Sequence, residues 1–217
     1  MSLEEKTTTQ SLLETSPDNP SIKMSTAVFV RNHDSKTGES WIPAEVLKYN
    51  DGERRSVDVV LVPENGCDDA ENKTNGLSVS TLDLSSYPNQ TLPLQEVNKY
   101  GERAVHADLS DMHYLHEAGI LYNLKDRHVI EGAPYTRAGC MIVAMNPYKW
   151  MNELYHEEVK CHYADRLVWK TISSSRSTKD IEPHLYEISA LAYKGLIDSA
   201  NDGNIMNQAI LVSVSFN

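Results

Sequence analysis

The stretch YTRAGCMIVAMNPYKWMNELY, Tyr135 to Tyr155, reads as a strand that stops at a proline and empties into a polar, aromatic loop. Cys140 to Asn146 is an apolar run with the pattern of a buried strand, and it places Cys140 in the core. Asn146-Pro147 ends it, because proline has no N–H to give and keeps the residue before it out of the helical region. In open α/β sheets ligands gather at such strand ends. Asn146 offers a donor and an acceptor in one amide, which suits the edge of a base. Tyr155 offers a ring to stack and a hydroxyl to bond. The same spacing also serves an ordinary loop, with Pro147 only stopping a strand and Tyr155 only packing.

Downstream, Glu157 to Trp169 is predicted as a helix, followed by a polar loop from Ser173 to Glu182. Pro183 then stands at the first position of another helix, with Leu185, Ile188, Ala192 and Leu196 on one apolar face. A polar turn, Asn201 to Asn204, leads to a last predicted strand from Ala209 to Phe216. Upstream, Ser110 is the expected cap of a helix over Asp111 to Lys125 that carries Met112, Leu115, Ala118, Leu121 and Leu124, with Gly119 as a break or kink. Helices alternating with buried strands from residue 110 onward mark an α/β unit. Residues 25–88 are different, with short alternating runs at Thr26 to Val30, Ser40 to Asn50, Arg55 to Val62 and Leu77 to Leu84. The last of these sets Leu77, Val79 and Thr81 on one face. These runs predict a small antiparallel barrel, so the fold class is mixed. The expected division is a disordered tail at 1–24, the barrel at 25–88, a Pro- and polar-rich connector at 89–109 and an α/β unit at 110–217.

Lys and Arg total 20 against 31 Asp and Glu, a net charge of −11. Phosphate binding needs a basic footprint, so nucleic acid is not an expected partner. No apolar run reaches the ~18 residues that suggest a membrane span, and Met1 to Gln10 lacks the apolar core of a secretory signal. Three cysteines without CxxC spacing suggest a reducing, cytoplasmic setting. His113 with His116, and His156 with Cys161 and His162, raise a zinc reading, but neither set has the spacing of a metal motif. Surface or half-buried histidines are the expectation.

Four segments in order resemble the amino-terminal part of a myosin motor head. LHEAGILYNLKDRH (Leu115 to His128) is similar to L-N-E-x-x-[VI]-L-x-N-L-x-x-R, and YTRAGCMIVAMNPYKW to Y-T-x-x-G-x-x-L-V-A-x-N-P-[YF]-K. PHLYEISALAYKGL (Pro183 to Leu196) and NQAILVS (Asn207 to Ser213) resemble two further family motifs, and WIPAEVL (Trp41 to Leu47) resembles a strand of the family's SH3-like barrel. The style is nearest that of protist myosins, oomycetes among them. The resemblance implies an SH3-like barrel followed by part of a P-loop motor domain. It also implies ATP and Mg as ligands, actin filaments as partner and a cytoskeletal location. Carried over by position, it gives Asn146, Pro147 and Tyr155 the adenine-binding role, with Tyr148 and Lys149 matching the same motif.

In the family, the last motif runs into G-E-S-G-A-G-K-T, whose backbone N–H groups, Lys and Thr hold phosphate and Mg. Here Ser213 is followed by Val214, Ser215, Phe216 and Asn217. The expectation is a truncated head segment without ATPase or motor activity of its own. A non-catalytic SH3-like adaptor module or a dominant-negative remnant is the alternative.

Overall fold

A computed structural model describes residues 26–33, 40–50, 55–62, 79–169, 178–203 and 206–214. The expected tail at 1–24, the turn at 51–53, the loop at 64–76, Leu77 and the first half of the polar loop at 173–182 lie outside the described residues.

The first half is an antiparallel meander of β1 (Thr26–Arg31), β2 (Trp41–Asn50), β3 (Ser56–Leu61) and β4 (Val79–Asp83), paired in chain order. Val57 and Val59 of β3 point into the core with Asp58 between them, the period-2 signature of a half-buried strand. β1 buries Val28, Phe29 and Val30 in succession because it is covered on both faces. Phe29 packs against the Tyr122 ring at 4.8 Å and edge-on to His116 at 5.9 Å. β4 alternates as expected, with the face of Ser80 and Leu82 inward. Leu82 packs on the core while Val79 is exposed, since the pairing of Val57 with Leu82 fixes the register.

The stretch expected as a connector also takes part in the sheet. Phe29 N–H donates to Pro93 O (2.8 Å) and Gln95 N–H to Ala27 O (2.9 Å), so residues 93–95 occupy the second edge of β1. The buried Gln95 side chain donates to Val28 O at 2.5 Å.

The helix expected from Asp111 starts later, as α1 (Glu117–Val129). Asp108 accepts from Ser110 N–H and caps a single 3₁₀ turn, Leu109–Asp111, after which Met112 is extended. The α1 cap is His116, whose Nδ1 accepts from Gly119 N–H at 3.0 Å. Gly119 therefore sits in the first turn and breaks nothing. A Cβ there would stand 3.1 Å from Tyr114 O, a tight contact that its neighbours would have to relieve by a small shift. The buried face of α1 is Ala118, Tyr122, Asn123, Asp126 and Arg127, whereas Leu115 and Leu121 are exposed. The inward polar groups are satisfied. Asn123 spans the backbone N–H and C=O of His106 (2.7 and 3.0 Å), and Asp126 takes a two-point contact from Arg103 (2.9 and 3.1 Å). Tyr122 OH donates to Trp41 O at 2.9 Å, which ties α1 to β2.

The second half holds a hairpin, β5 (Tyr135–Ala138) with β6 (Met141–Ala144), then α2 (Glu157–Ala164) and α3 (Leu185–Asn201). The hairpin turns on Gly139-Cys140 with Gly139 at φ +63°, a conformation that glycine adopts without a Cβ penalty. Cys140 is thus an exposed turn residue and not core, and β6 is only partly covered. The helix predicted to Trp169 is α2 plus a π-helical turn, Asp165–Trp169, which brings Leu167 and Val168 inward against Tyr163, Ile181 and Ala190. Pro183 lies two residues before α3, whose cap is His184. The inward residues of α3 are Glu187 and Ala190, with Tyr186 and Ile197 partly buried, whereas Leu185 and Leu196 of the expected face are exposed. The predicted last strand is not formed over the described residues 206–214, which are exposed and unpaired. A strand exists only through a neighbour's N–H and C=O groups, and none of the described segments supplies them. The fold is mixed α/β, a four-stranded antiparallel sheet joined to a hairpin and helices.

Candidate functional site

The five residues singled out at the end of β6 fall on two short, differently anchored pieces. Asn146 Oδ1 accepts from Tyr148 N–H at 2.9 Å, which closes a local turn directly after the strand. That turn holds Tyr148 at φ +49°, in the left-handed region that a tyrosine adopts only at a cost of ~1–2 kcal/mol. Its ring is 92% exposed, Lys149 is exposed, and Trp150 beyond is 94% exposed, while Pro147 is half-buried. Among the described residues, the second lone pair of Asn146 Oδ1 and both Nδ2 hydrogens remain for another group.

Tyr155 ends a single 3₁₀ turn, Asn152–Tyr155. It is 48% exposed, so one side of the ring is open while the other is held. Its hydroxyl lies 2.5 Å from that of Tyr135 on β5. Behind it stands His184, 2% exposed, with ring centroids 5.8 Å from Tyr155, 5.0 Å from Tyr135, 5.2 Å from Tyr163 and 4.6 Å from Tyr186. Burial pushes the Tyr135 phenol up, and its bond to Tyr155 adds to this. Burial likewise pushes Tyr163 up to about 12 and His184 below its ordinary value. Each of these three shifts favours the neutral ring. Tyr155 thus presents a half-open aromatic face on the same loop as the Asn146 amide and the exposed Lys149.

Beneath it lies a charged frame. Arg137 of β5 donates to both carboxylate oxygens of Glu187 on α3 (2.9 and 2.7 Å) and to Ile181 O (3.1 Å), with both side chains buried. The Glu187 hydrogen bonds hold the Arg137 guanidinium above its ordinary pKa. Burial raises Asp108, but the N–H groups of Ser110 and Gly139 outweigh it and hold the carboxyl below the usual range. Arg127 donates to Thr136 Oγ1, Tyr135 O and Glu182.

Four of the residues weighed as metal ligands, His113, His116, His162 and Cys161, have separate contacts. His113 binds Glu96, and His116 caps α1 while its Nε2 reaches Leu94 O at 2.8 Å. His162 packs edge-on to Tyr163, and Cys161 faces Glu157. Among the described residues no three of His, Cys, Asp and Glu converge.

A family model described as "Myosin head (motor domain)" matches residues 106–214. The chain belongs to the myosin head family. Myosin-13 of Arabidopsis thaliana is 30% identical over 168 residues, 77% of this chain and 10% of its own length. Myosin-2 of Saccharomyces cerevisiae is 31% identical over 175 residues, 80% of this chain and 9% of its own length. Unconventional myosin-Vc of Homo sapiens is 32% identical over 133 residues, 61% of this chain and 6% of its own length. The chain thus spans about a tenth or less of these relatives. The myosin-family match includes Asn146 to Lys149, Tyr155 and His184. The signal for His184 in the sequence is its place directly before a helical run, where a histidine can cap the helix.

Proposed function

We propose that this chain is the amino-terminal part of an actin-based, ATP-driven motor head, in which Asn146, Pro147, Tyr148, Lys149 and Tyr155 form the adenine end of the nucleotide site. The observation that carries the reading is Tyr155, clamped through its hydroxyl to Tyr135 yet half open, in the same β6-to-α2 loop as an Asn146 amide with spare hydrogen-bonding capacity. An aromatic face and an amide suit a purine: stacking gives ~1–3 kcal/mol and each neutral hydrogen bond ~0.5–1.5 kcal/mol. The antiparallel sheet with residues 93–95 added to β1 supports the SH3-like reading of the first half.

The residues present fit the base and not the Mg–triphosphate. Among the described residues no acidic or histidine cluster converges, and none of the ten glycines stands in a GxxxxGK[ST] motif. Phosphoryl transfer rests on a phosphate loop and metal, so ATP turnover requires groups that these 217 residues do not contribute.

Titration of the purified chain with a fluorescent ATP analogue and with adenosine tests this. Base contacts alone predict Kd values of about 1 mM, alike for the two ligands and indifferent to Mg²⁺. Asn146→Ala and Tyr155→Ala should each weaken them. Micromolar, Mg-dependent affinity would overturn the assignment of only the base end, and binding unchanged in both variants would overturn the pocket.

A further inference from the structure

The Tyr135 hydroxyl holds only the tip of the Tyr155 ring. The Tyr155 turn has no side-chain cap, and its own residues are mostly exposed. The anchors come from elsewhere, and they meet at one ring. His184 Nδ1 accepts from Tyr186 N–H at 3.0 Å, closing the first turn of α3. A nitrogen that accepts carries no hydrogen, so the proton of the neutral ring sits on Nε2. Nε2 faces Leu154 O at 3.1 Å, the carbonyl immediately before Tyr155. Both nitrogens are thereby committed, and the tautomer is fixed by the helix cap. A second tie runs from the same turn of α3, Tyr186 OH donating to Tyr155 O at 3.3 Å.

We propose that His184 is the positioning residue of the adenine loop. One nitrogen fixes the start of α3, the other holds the Leu154 carbonyl, and the ring backs Tyr155. The proposal rests on the adenine reading for its consequence, and on the geometry above for its existence. It predicts that affinity for the base depends on a buried side chain that does not itself contact nucleotide.

Two variants separate the loop role from the cap role. His184→Asn keeps an acceptor where Nδ1 stood, so the α3 cap survives, but nothing reaches Leu154. His184→Gln places an amide N–H near the Nε2 position and gives up the cap. NMR of the nucleotide-free full chain reads the Leu154 carbonyl and Tyr155 ring signals, and amide exchange reads Tyr186. Titration with the fluorescent ATP analogue reads the base site. In His184→Asn the Leu154 and Tyr155 signals should move, Tyr186 should stay protected and affinity should fall about fivefold, the equivalent of one hydrogen bond. His184→Gln should keep the Leu154 shift and bind within about twofold of the wild type, with Tyr186 less protected. Wild-type Leu154 and Tyr155 signals in His184→Asn would overturn the proposal, as would equal losses in both variants with general unfolding. If the wild-type chain binds no analogue, the adenine reading falls, and the NMR signals alone still decide whether His184 positions Tyr155.

Discussion

Replacing Glu187 with alanine would leave the Arg137 guanidinium buried beneath α3 with two of its three oxygen partners gone. Only the Ile181 carbonyl, at 3.1 Å, would remain. Arg137 and Glu187 side chains are 2% and 3% exposed, so little solvent is available to replace the carboxylate. Breaking a buried pair from one side costs ~3–5 kcal/mol, a large share of the ~5–15 kcal/mol that typical domains possess. Glu187→Gln keeps one acceptor oxygen and loses the charge, which should cost ~1.5–3 kcal/mol. The double variant Arg137→Met, Glu187→Met removes both charges and restores apolar volume, and it should lie within about 2 kcal/mol of the wild type. Urea unfolding of these four proteins and of the singles Arg137→Met and Glu187→Met, followed by circular dichroism, gives each difference and the coupling. A Glu187→Ala cost below about 1 kcal/mol, or a double variant as weak as the sum of the singles, would refute the reasoning.

Tyr122→Phe removes the hydroxyl that satisfies the buried Trp41 carbonyl and should cost about 1–2 kcal/mol, seen as a lower urea midpoint with unchanged m value; a neutral effect would mean that the α1–β2 tie contributes nothing. Acid should weaken the fold first through His184. Its folded pKa lies below the ordinary 6.5 because burial disfavours the imidazolium, so its neutral form stabilises the fold above pH 6.5. That stability is lost as pH falls from 6.5 through the folded value, because the unfolded chain takes up a proton that the folded ring refuses. Urea midpoints at pH 7 and pH 5.5 should differ in the wild type and differ less in His184→Asn; equal midpoints in the wild type would contradict this.

The strands of the first half were legible because their residues alternate and their cores are plain valines, as in Val57 and Val59. The inward face of β4 was not, because Leu77, Val79 and Thr81 look as suitable as Ser80 and Leu82 until pairing with β3 sets the register. α1 was misplaced for a related reason. Counting apolar positions favours Leu115 and Leu121, but the helix buries Asn123, Asp126 and Arg127, whose partners at His106, Arg103 and Thr136 are invisible to a local pattern. At the candidate site, Asn146 and Tyr155 stood out by residue type. The backing by His184, 29 positions beyond Tyr155, is a tertiary fact that spacing alone could not supply.

The Tyr122–Trp41 bond spans 81 positions and the Gln95–Val28 bond 67, and both finish a sheet whose own strands come first in the chain. During synthesis, at roughly 5–20 residues per second, β2 would therefore wait about 4–16 s for the tyrosine that satisfies its carbonyl. Through that interval β1 has an open edge, where residues 93–95 later bind, and an uncovered Phe29. The nascent sheet is thus most exposed to wrong partners before the segment from Pro93 to Tyr122 has emerged, and a chaperone that shields β1 would act in that window.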